Sequence, residues 1–273
     1  MSTLNITTIQ TDLHWEDKAA NLQMLKEKIS AVKDKMEIVI LPEMFSTGFS
    51  MKPEVLAEKM DGETIQWMAS VSSANNIILT GSVIIEDEGN YYNRLIWMLP
   101  NGQLGYYDKR HRFAYADEDK HYASGNKRFI ASVKGWKVNL QVCYDLRFPV
   151  WSRQSVYSHL PKDNGTGPAK AEYDLLIYVA NWPERRIHAW KTLLQARAIE
   201  NQSYVVGVNR TGTDGKNIYY SGDTMIVDAM GSVMYTKGHE EDIFTITLNK
   251  SVLDETRSKL PFLEDADRFF IEI

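Results

Sequence analysis

WKVNLQVCYDLRFP, residues 136–149, decides how the chain is read. Its first half alternates apolar and polar residues and reads as a buried strand. That strand ends at Cys143, the only cysteine in 273 residues. Charge follows at Asp145 and Arg147, and Pro149 suits the first turn of a helix. A strand that delivers a thiol to its carboxyl end, just before a helix, is the unit of a sheet covered by helices. In such folds ligands gather outside the carboxyl ends of strands.

The same form recurs outward in both directions. EIVILPE (37–43) is a near-continuous apolar run stopped by Pro42 and followed by Glu43. NITTIQ (5–10) alternates as a half-buried strand does. Leu22, Leu25, Ile29 and Val32 recur at helical spacing, and 62–75 also reads as helix. NIILTGSVIIED and YYNRLIWMLP are consecutive strands turning at DEGN (87–90). Further on, YDLLIYVAN (173–181) is a strand and PERRIHAWKTLLQARAIENQ (183–202) a long helix. In that helix Trp190, Leu193, Leu194 and Ala198 are expected to face the core, and Arg185, Arg186, Lys191 and Arg197 solvent. SYVVGVNR, GDTMIVDA, GSVMYT and DIFTITL read as strands. Strands that alternate with helices and also form hairpins imply a mixed sheet covered by helices. The proline- and glycine-rich 158–172 is expected to be an exposed loop, leaving one domain over 1–273.

Composition narrows the function classes. At 44% hydrophobic and 25% charged residues the chain is globular, and a net charge of −5 gives no reason to expect a nucleic-acid surface. A lone cysteine makes no internal disulfide. Without a signal-peptide core or an apolar run long enough to span a membrane, a cytoplasmic protein is expected. The six histidines show no H-x-x-x-H spacing, so no metal site is expected. GTDGKN (212–217) lacks the order of a phosphate-cradling loop and reads as a turn.

Glu43, Lys109 in YDKRHRF and Cys143 each sit at or just beyond a strand end. Together a carboxylate, an ammonium and a thiol make a base, an electrophile and a nucleophile. Each alone has a plainer reading: a strand cap, a solvated basic cluster, a small core residue. The thiolate would be favoured by a carboxylate base, a lysine and a helix N-terminus, and Cys143 is expected to have all three.

LPEMFSTGF (41–49), YDKRHRF (107–113) and CYDLRFP (143–149), in that order, resemble the three signatures of the nitrilase superfamily. NWP (181–183), LLQARAIENQSYVVGVNRTG (193–212) and SGDTMIVDAMGSV (221–233) resemble its later segments. PEMFSTGF with KRHRFAYADEDKHYASGN is most similar to the bacterial omega-amidases. The resemblance implies a four-layer α-β-β-α sandwich with two mixed sheets, often paired into a homodimer, that needs no cofactor. It implies a small-molecule amide substrate with a distal carboxylate, such as 2-oxoglutaramate or 2-oxosuccinamate. It gives Glu43 the role of base, Cys143 that of nucleophile, and Lys109 with the Tyr144 backbone N–H that of oxyanion donors. Glu118 matches a second carboxylate beside the lysine, with Asp117 and Asp119 as neighbours to which that match could slip.

A distal carboxylate favours an arginine, either Arg112 or Arg147, the latter also a candidate structural partner of Asp145. Phe45, Phe113, Tyr115 and Trp182 are candidate walls of the pocket. Within the same chemistry stand a nitrilase and an N-carbamoyl amidase. Outside it stand a redox-active thiol protein, which would want a resolving thiol this chain lacks, and a binding module, which would not need the intact triad. The C-terminal LPFLEDADRFFIEI (260–273) is expected to cover either a partner subunit or its own domain.

Overall fold

The computed structural model describes residues 2–154, 171–267 and 271. The expected loop at 158–172 therefore lies outside the described residues apart from 171 and 172, as do five positions of the C-terminal segment.

Thirteen strands and seven α-helices alternate along the described chain. The first half holds β1 (Thr3–Gln10), α1 (Lys18–Ala31), β2 (Ile38–Ile40), α2 (Pro53–Leu56), α3 (Glu63–Asn75), β3 (Ile78–Asp87), β4 (Asn90–Met98) and β5 (Leu104–Asp108). After α4 (Glu118–His121) come β6 (Ile130–Val133), β7 (Trp136–Val142), α5 (Pro149–Ser152), β8 (Leu175–Ala180), α6 (Ile187–Asn201) and β9 (Tyr204–Asn209). The chain then runs through β10 (Thr211–Thr213), β11 (Tyr219–Val227), β12 (Val233–Gly238), β13 (Asp242–Asn249) and α7 (Lys250–Lys259).

These strands form two mixed sheets. One has the order β13-β1-β2-β3-β4-β5, the other β10-β11-β9-β8-β7-β6, with β12 on β11. Each contains a run of three parallel strands, β1-β2-β3 in the first and β7-β8-β9 in the second, flanked by antiparallel neighbours. The similar rhythm of the two sequence halves is this shared plan. β3 and β4 form a tight hairpin in which Asp87 faces Asn90. Its two loop residues, Glu88 and Gly89, both take positive φ (50° and 77°), the twist a two-residue hairpin needs.

Alternation assigns the layers. On β2, Ile38 and Ile40 join the core between the sheets, beside Trp136, Val138 and Leu140, whereas Val39 points the other way. Val39 packs with Leu22, Leu25 and Ile29 of α1 and Ile65, Met68 and Val71 of α3. Trp190, Leu194 and Ala198 of α6 pack on the far side of the second sheet. The result is α1 and α3, sheet, sheet, α6: the α-β-β-α sandwich. α1 starts where Asp17 accepts a hydrogen bond from the Ala20 N–H (3.0 Å), an N-cap.

A helix does begin at Pro149, as expected; it is a single turn, preceded by a 3-10 turn over Cys143–Arg147. One helical expectation needs correction. The helix from 183 begins with a 3-10 turn, Glu184–Arg186, and becomes α-helical only at Ile187. Across that turn Arg185 is exposed, as expected, while Arg186 is half-buried.

Candidate active site

Three strand ends and one short helix meet in a buried cluster. Glu43 follows β2, Lys109 follows β5, Cys143 follows β7, and Glu118 opens α4. Glu43 and Glu118 are wholly buried, Lys109 is 1% exposed and Cys143 9%. Lys109 Nζ donates to Glu43 Oε1 (2.9 Å) and to both carboxylate oxygens of Glu118 (2.9 Å each). A buried ammonium shared by two buried carboxylates is tolerable only if the remaining lone pairs are satisfied. They are: the Phe113 N–H donates to Glu118 Oε2 (2.5 Å) and the Asn181 N–H to Glu43 Oε2 (2.8 Å). Asn93 Nδ2 reaches Glu43 Oε1 (2.8 Å) and, more distantly, Glu118 Oε1 (3.4 Å).

The match at Glu118 does not slip. Asp117 and Asp119 are both exposed, and Asp117 pairs with Lys120. Asp117 takes a left-handed φ of 61°, which starts α4 one residue before Glu118.

Electrostatics separates the thiol from the ammonium. Burial pushes the Cys143 thiol well above its ordinary value, and the facing Glu43 carboxylate pushes it further; Lys109 opposes both. For Lys109, burial disfavours charge, but Glu118 and Glu43 outweigh it and the pKa rises. Burial, with Glu43 beside it, likewise raises Glu118 against the pull of Lys109. The resting site therefore holds a charged lysine beside a protonated thiol. The expectation of a thiolate favoured by a helix N-terminus fails here, since only a five-residue 3-10 turn follows the sulfur.

Cys143 has φ +44°, in the left-handed region a non-glycine residue avoids. The sharp turn follows directly on the end of β7, and Cys143 there lines the cavity described below. The Tyr144 N–H begins the 3-10 turn, where no preceding turn supplies an acceptor.

Lys109 and Cys143 line the floor of a cavity of about 290 Å³, with Glu43 and Glu118 buried behind them. Phe113, Tyr115, Tyr144, Arg147 and Trp182 line it, as their sequence positions imply. Phe45 and Arg112 do not. Phe45 is fully buried, packed on Trp67 and over Gly81 of β3, where even a Cβ would collide with its ring at 2.7 Å. Arg112 donates to the backbone carbonyls of Tyr122 (3.0 Å) and Asp119 (3.4 Å), holding α4 in place. Arg147 does not pair with Asp145; its guanidinium lies over the Trp182 ring at 4.9 Å.

Other lining residues escaped the sequence reading. Arg185 and Arg186 face the cavity, Arg186 lying 5.1 Å over the Phe113 ring. Lys216, in the turn at 212–217, lines it too. Arg197, expected in solvent, is 3% exposed and donates to the Leu146 carbonyl (2.5 Å), bracing the turn after the cysteine. Among the described residues, Arg147, Arg185 and Arg186 have no carboxylate partner. Burial, then the positive charges of Arg185 and Arg147, lower the pKa of Arg186. Asp117 and Asp214 also line the cavity, so its cations outnumber its acids, and such an excess of positive charge favours an anionic ligand. No group of three or more His, Cys, Asp or Glu among the described residues is arranged to hold a metal ion.

Residues 5–258 match the family model of carbon-nitrogen hydrolases. An omega-amidase of Escherichia coli (strain K12), YafV, is 38% identical over 270 residues, covering 98% of this chain and 99% of its own. A 2-oxoglutaramate amidase of Bacillus subtilis (strain 168) is 29% identical over 264 residues, covering 95% and 96%. A solved CN-hydrolase superfamily protein of Xanthomonas campestris, with an arsenic adduct in its active site, has a TM-score of 0.93 to this chain. It is 39% identical and covers 100% of both chains.

Proposed function

The chain belongs to the carbon-nitrogen hydrolase family, as an amidase of the nitrilase superfamily, and from that premise we propose that it hydrolyses small omega-amides of dicarboxylic acids. Substrates of this class are 2-oxoglutaramate and 2-oxosuccinamate, cleaved to the acid and ammonia through a cysteine thioester. The observation that carries the reading is the pairing of a buried Glu43–Lys109–Cys143 floor with a mouth bearing three arginines that lack acid partners. An amide at one end and a carboxylate at the other fits that polarity.

In this mechanism Glu43 takes the thiol proton as Cys143 Sγ attacks the amide carbonyl. Coupling the two steps avoids forming a buried thiolate beside a carboxylate. Charge develops on the carbonyl oxygen, and Lys109 with the Tyr144 N–H stabilises it. Glu43 returns the proton to the leaving nitrogen, ammonia departs, and a thioester remains. Glu43 then activates a water, whose attack releases the acid and restores the thiol. Glu118 and Asn93 hold Lys109 and Glu43 in register, and Asn181 pins Glu43 from the other side. Arg186, with Arg147 and Arg185, receives the distal carboxylate.

The test is ammonia release from 2-oxoglutaramate, 2-oxosuccinamate, glutamine, a simple nitrile and an N-carbamoyl amino acid, each with wild type and Cys143→Ala. Cysteine-dependent release from the 2-oxo amides is expected. Turnover of the nitrile or the carbamoyl compound alone would replace the substrate class.

The protein is also proposed to work as a homodimer. Ile199 of α6 packs against Gly231, and Ile199, Met230, Val233 and Met234 remain 40–54% exposed around that contact, an apolar face suited to a second copy. A monomeric mass by light scattering at micromolar concentration would reject this.

A further inference from the structure

Asp145 lies two residues beyond Cys143 and is fully buried, yet the chemistry above gives it no part. Four donors converge on its carboxylate. Oδ1 accepts from the His111 backbone N–H (2.9 Å) and lies 2.8 Å from His111 Nδ1. Oδ2 accepts from the Tyr107 hydroxyl (2.8 Å) and the Val142 N–H (3.0 Å). The Asp145 backbone carbonyl accepts from the Phe148 N–H (2.9 Å).

The partners on the other side are as informative. Tyr107 and His111 bracket Lys109 in sequence, two residues before and two after. The Tyr107 oxygen is itself fixed by the Trp151 indole N–H (2.9 Å) and the Arg110 N–H (3.2 Å). The His111 ring stacks on Phe148 at 3.7 Å between centroids, 5° from parallel. One carboxylate thus ties the lysine segment on both flanks to the turn that holds Cys143 at its left-handed φ.

We propose that Asp145, His111 and Tyr107 form a positioning clamp that sets the Lys109 ammonium against the Cys143 sulfur. None of the three touches the reacting atoms in this arrangement. Their part is to fix the spacing between nucleophile and oxyanion donor, which sit on separate segments with no backbone ladder between them. A displacement of about 1 Å there costs about a hundredfold in rate. A side-chain bridge of ordinary stabilising function would change the melting point and leave the turnover of folded enzyme intact.

The ring and the hydrogen bond of His111 are separable. His111→Phe keeps a ring on Phe148 and removes the Nδ1 contact. His111→Asn restores a donor near the Nδ1 position and removes the ring. Tyr107→Phe deletes one other donor to the same carboxylate. Each variant is assayed for kcat and KM on 2-oxoglutaramate and for the rate of Cys143 alkylation by iodoacetamide, with the folded fraction measured by circular dichroism.

His111→Phe is expected to lower kcat about 10- to 100-fold with KM within about threefold, and to slow alkylation. His111→Asn should recover most of the loss. Tyr107→Phe should act in the same direction, and the double variant should fall short of the product of the singles, because both act through Asp145. Wild-type kcat per folded His111→Phe, or an Asn variant as impaired as the Phe variant, overturns the clamp. Should 2-oxoglutaramate not be turned over by wild type, the substrate reading fails and the alkylation rates decide the clamp alone; alkylation of His111→Phe and Tyr107→Phe at the wild-type rate then overturns it.

Discussion

The floor and the mouth of the cavity treat charge in opposite ways. On the floor one ammonium faces two carboxylates within hydrogen-bonding distance, and backbone and asparagine N–H groups take up remaining carboxylate lone pairs. At the mouth Arg147 and Arg186 lie over aromatic rings, and they and Arg185 have no carboxylate partner among the described residues. The closed network suits a reaction whose proton moves between fixed atoms in low dielectric. The open cluster leaves its charge for something that arrives. The function proposed above assigns the chemistry to the first and the choice of substrate to the second.

Removing a floor group should abolish turnover, and removing a mouth group should change preference. Cys143→Ala is expected to lower turnover by about 10⁴-fold or more with an unchanged circular dichroism spectrum. Substantial residual amidase activity would mean that another group is the nucleophile.

Lys109→Met sharpens the contrast through stability. It leaves Glu43 and Glu118 buried without their cation, which should cost about 3–5 kcal/mol by urea unfolding near neutral pH. Arg185→Ala, at the mouth, should leave the unfolding midpoint where it is. Equal midpoints for the two variants would break the comparison.

Arg186→Ala should raise KM for 2-oxoglutaramate about 10- to 100-fold with kcat nearly unchanged, the scale of one lost charge-assisted hydrogen bond. A neutral amide of similar length should show no such change. If both amides lose equally, Arg186 supports the wall without reading charge.

The smallest effect comes from the thiol's titration. Burial and then Glu43 raise the Cys143 pKa in the fold, so above the ordinary thiol value of about 8.5 the unfolded chain releases a proton that the folded chain keeps. Wild type should therefore lose stability relative to Cys143→Ala as pH rises past that value, by at most about 1.4 kcal/mol per pH unit. Urea midpoints for the pair at pH 8 and pH 10 measure it. A constant difference would show that the thiol ionises as readily folded as unfolded.

The floor was more legible in the sequence than the mouth, for a physical reason. Glu43, Lys109 and Cys143 each interrupt or follow an apolar run, and a strand end fixes where a side chain goes. Asn93 carried a weaker signal, a polar residue inside the apolar-rich YYNRLIWM. The mouth is built from turns, where local pitch decides direction. Arg185 and Arg186 lie in a 3-10 turn whose backbone is held by the Trp182 indole N–H on the Arg186 carbonyl (2.9 Å). Extending the α-helical period of α6 backward put both in solvent, which holds for Arg185 but not for the half-buried Arg186, and it hid that both line the cavity. Arg112 misled by proximity: it is three residues from Lys109, yet its guanidinium is spent on carbonyls near α4. The apolar run of β2 and the three- and four-residue spacing of α1 made a mixed sheet covered by helices legible, whereas the second sheet and the four layers came from the family resemblance.

Cys143 is the only thiol in the chain, and this turns it into a counter. A reagent that labels thiols in the native protein can label one position, so under the proposed mechanism the moles of label taken up equal the moles of intact nucleophile. A preparation part-oxidised on storage would report its own active fraction by mass spectrometry, with no cysteine-free variant needed as a blank. The same residue, 9% exposed when folded, becomes fully accessible on unfolding, so labelling in rising urea would follow the opening of the site and of the whole fold on one probe.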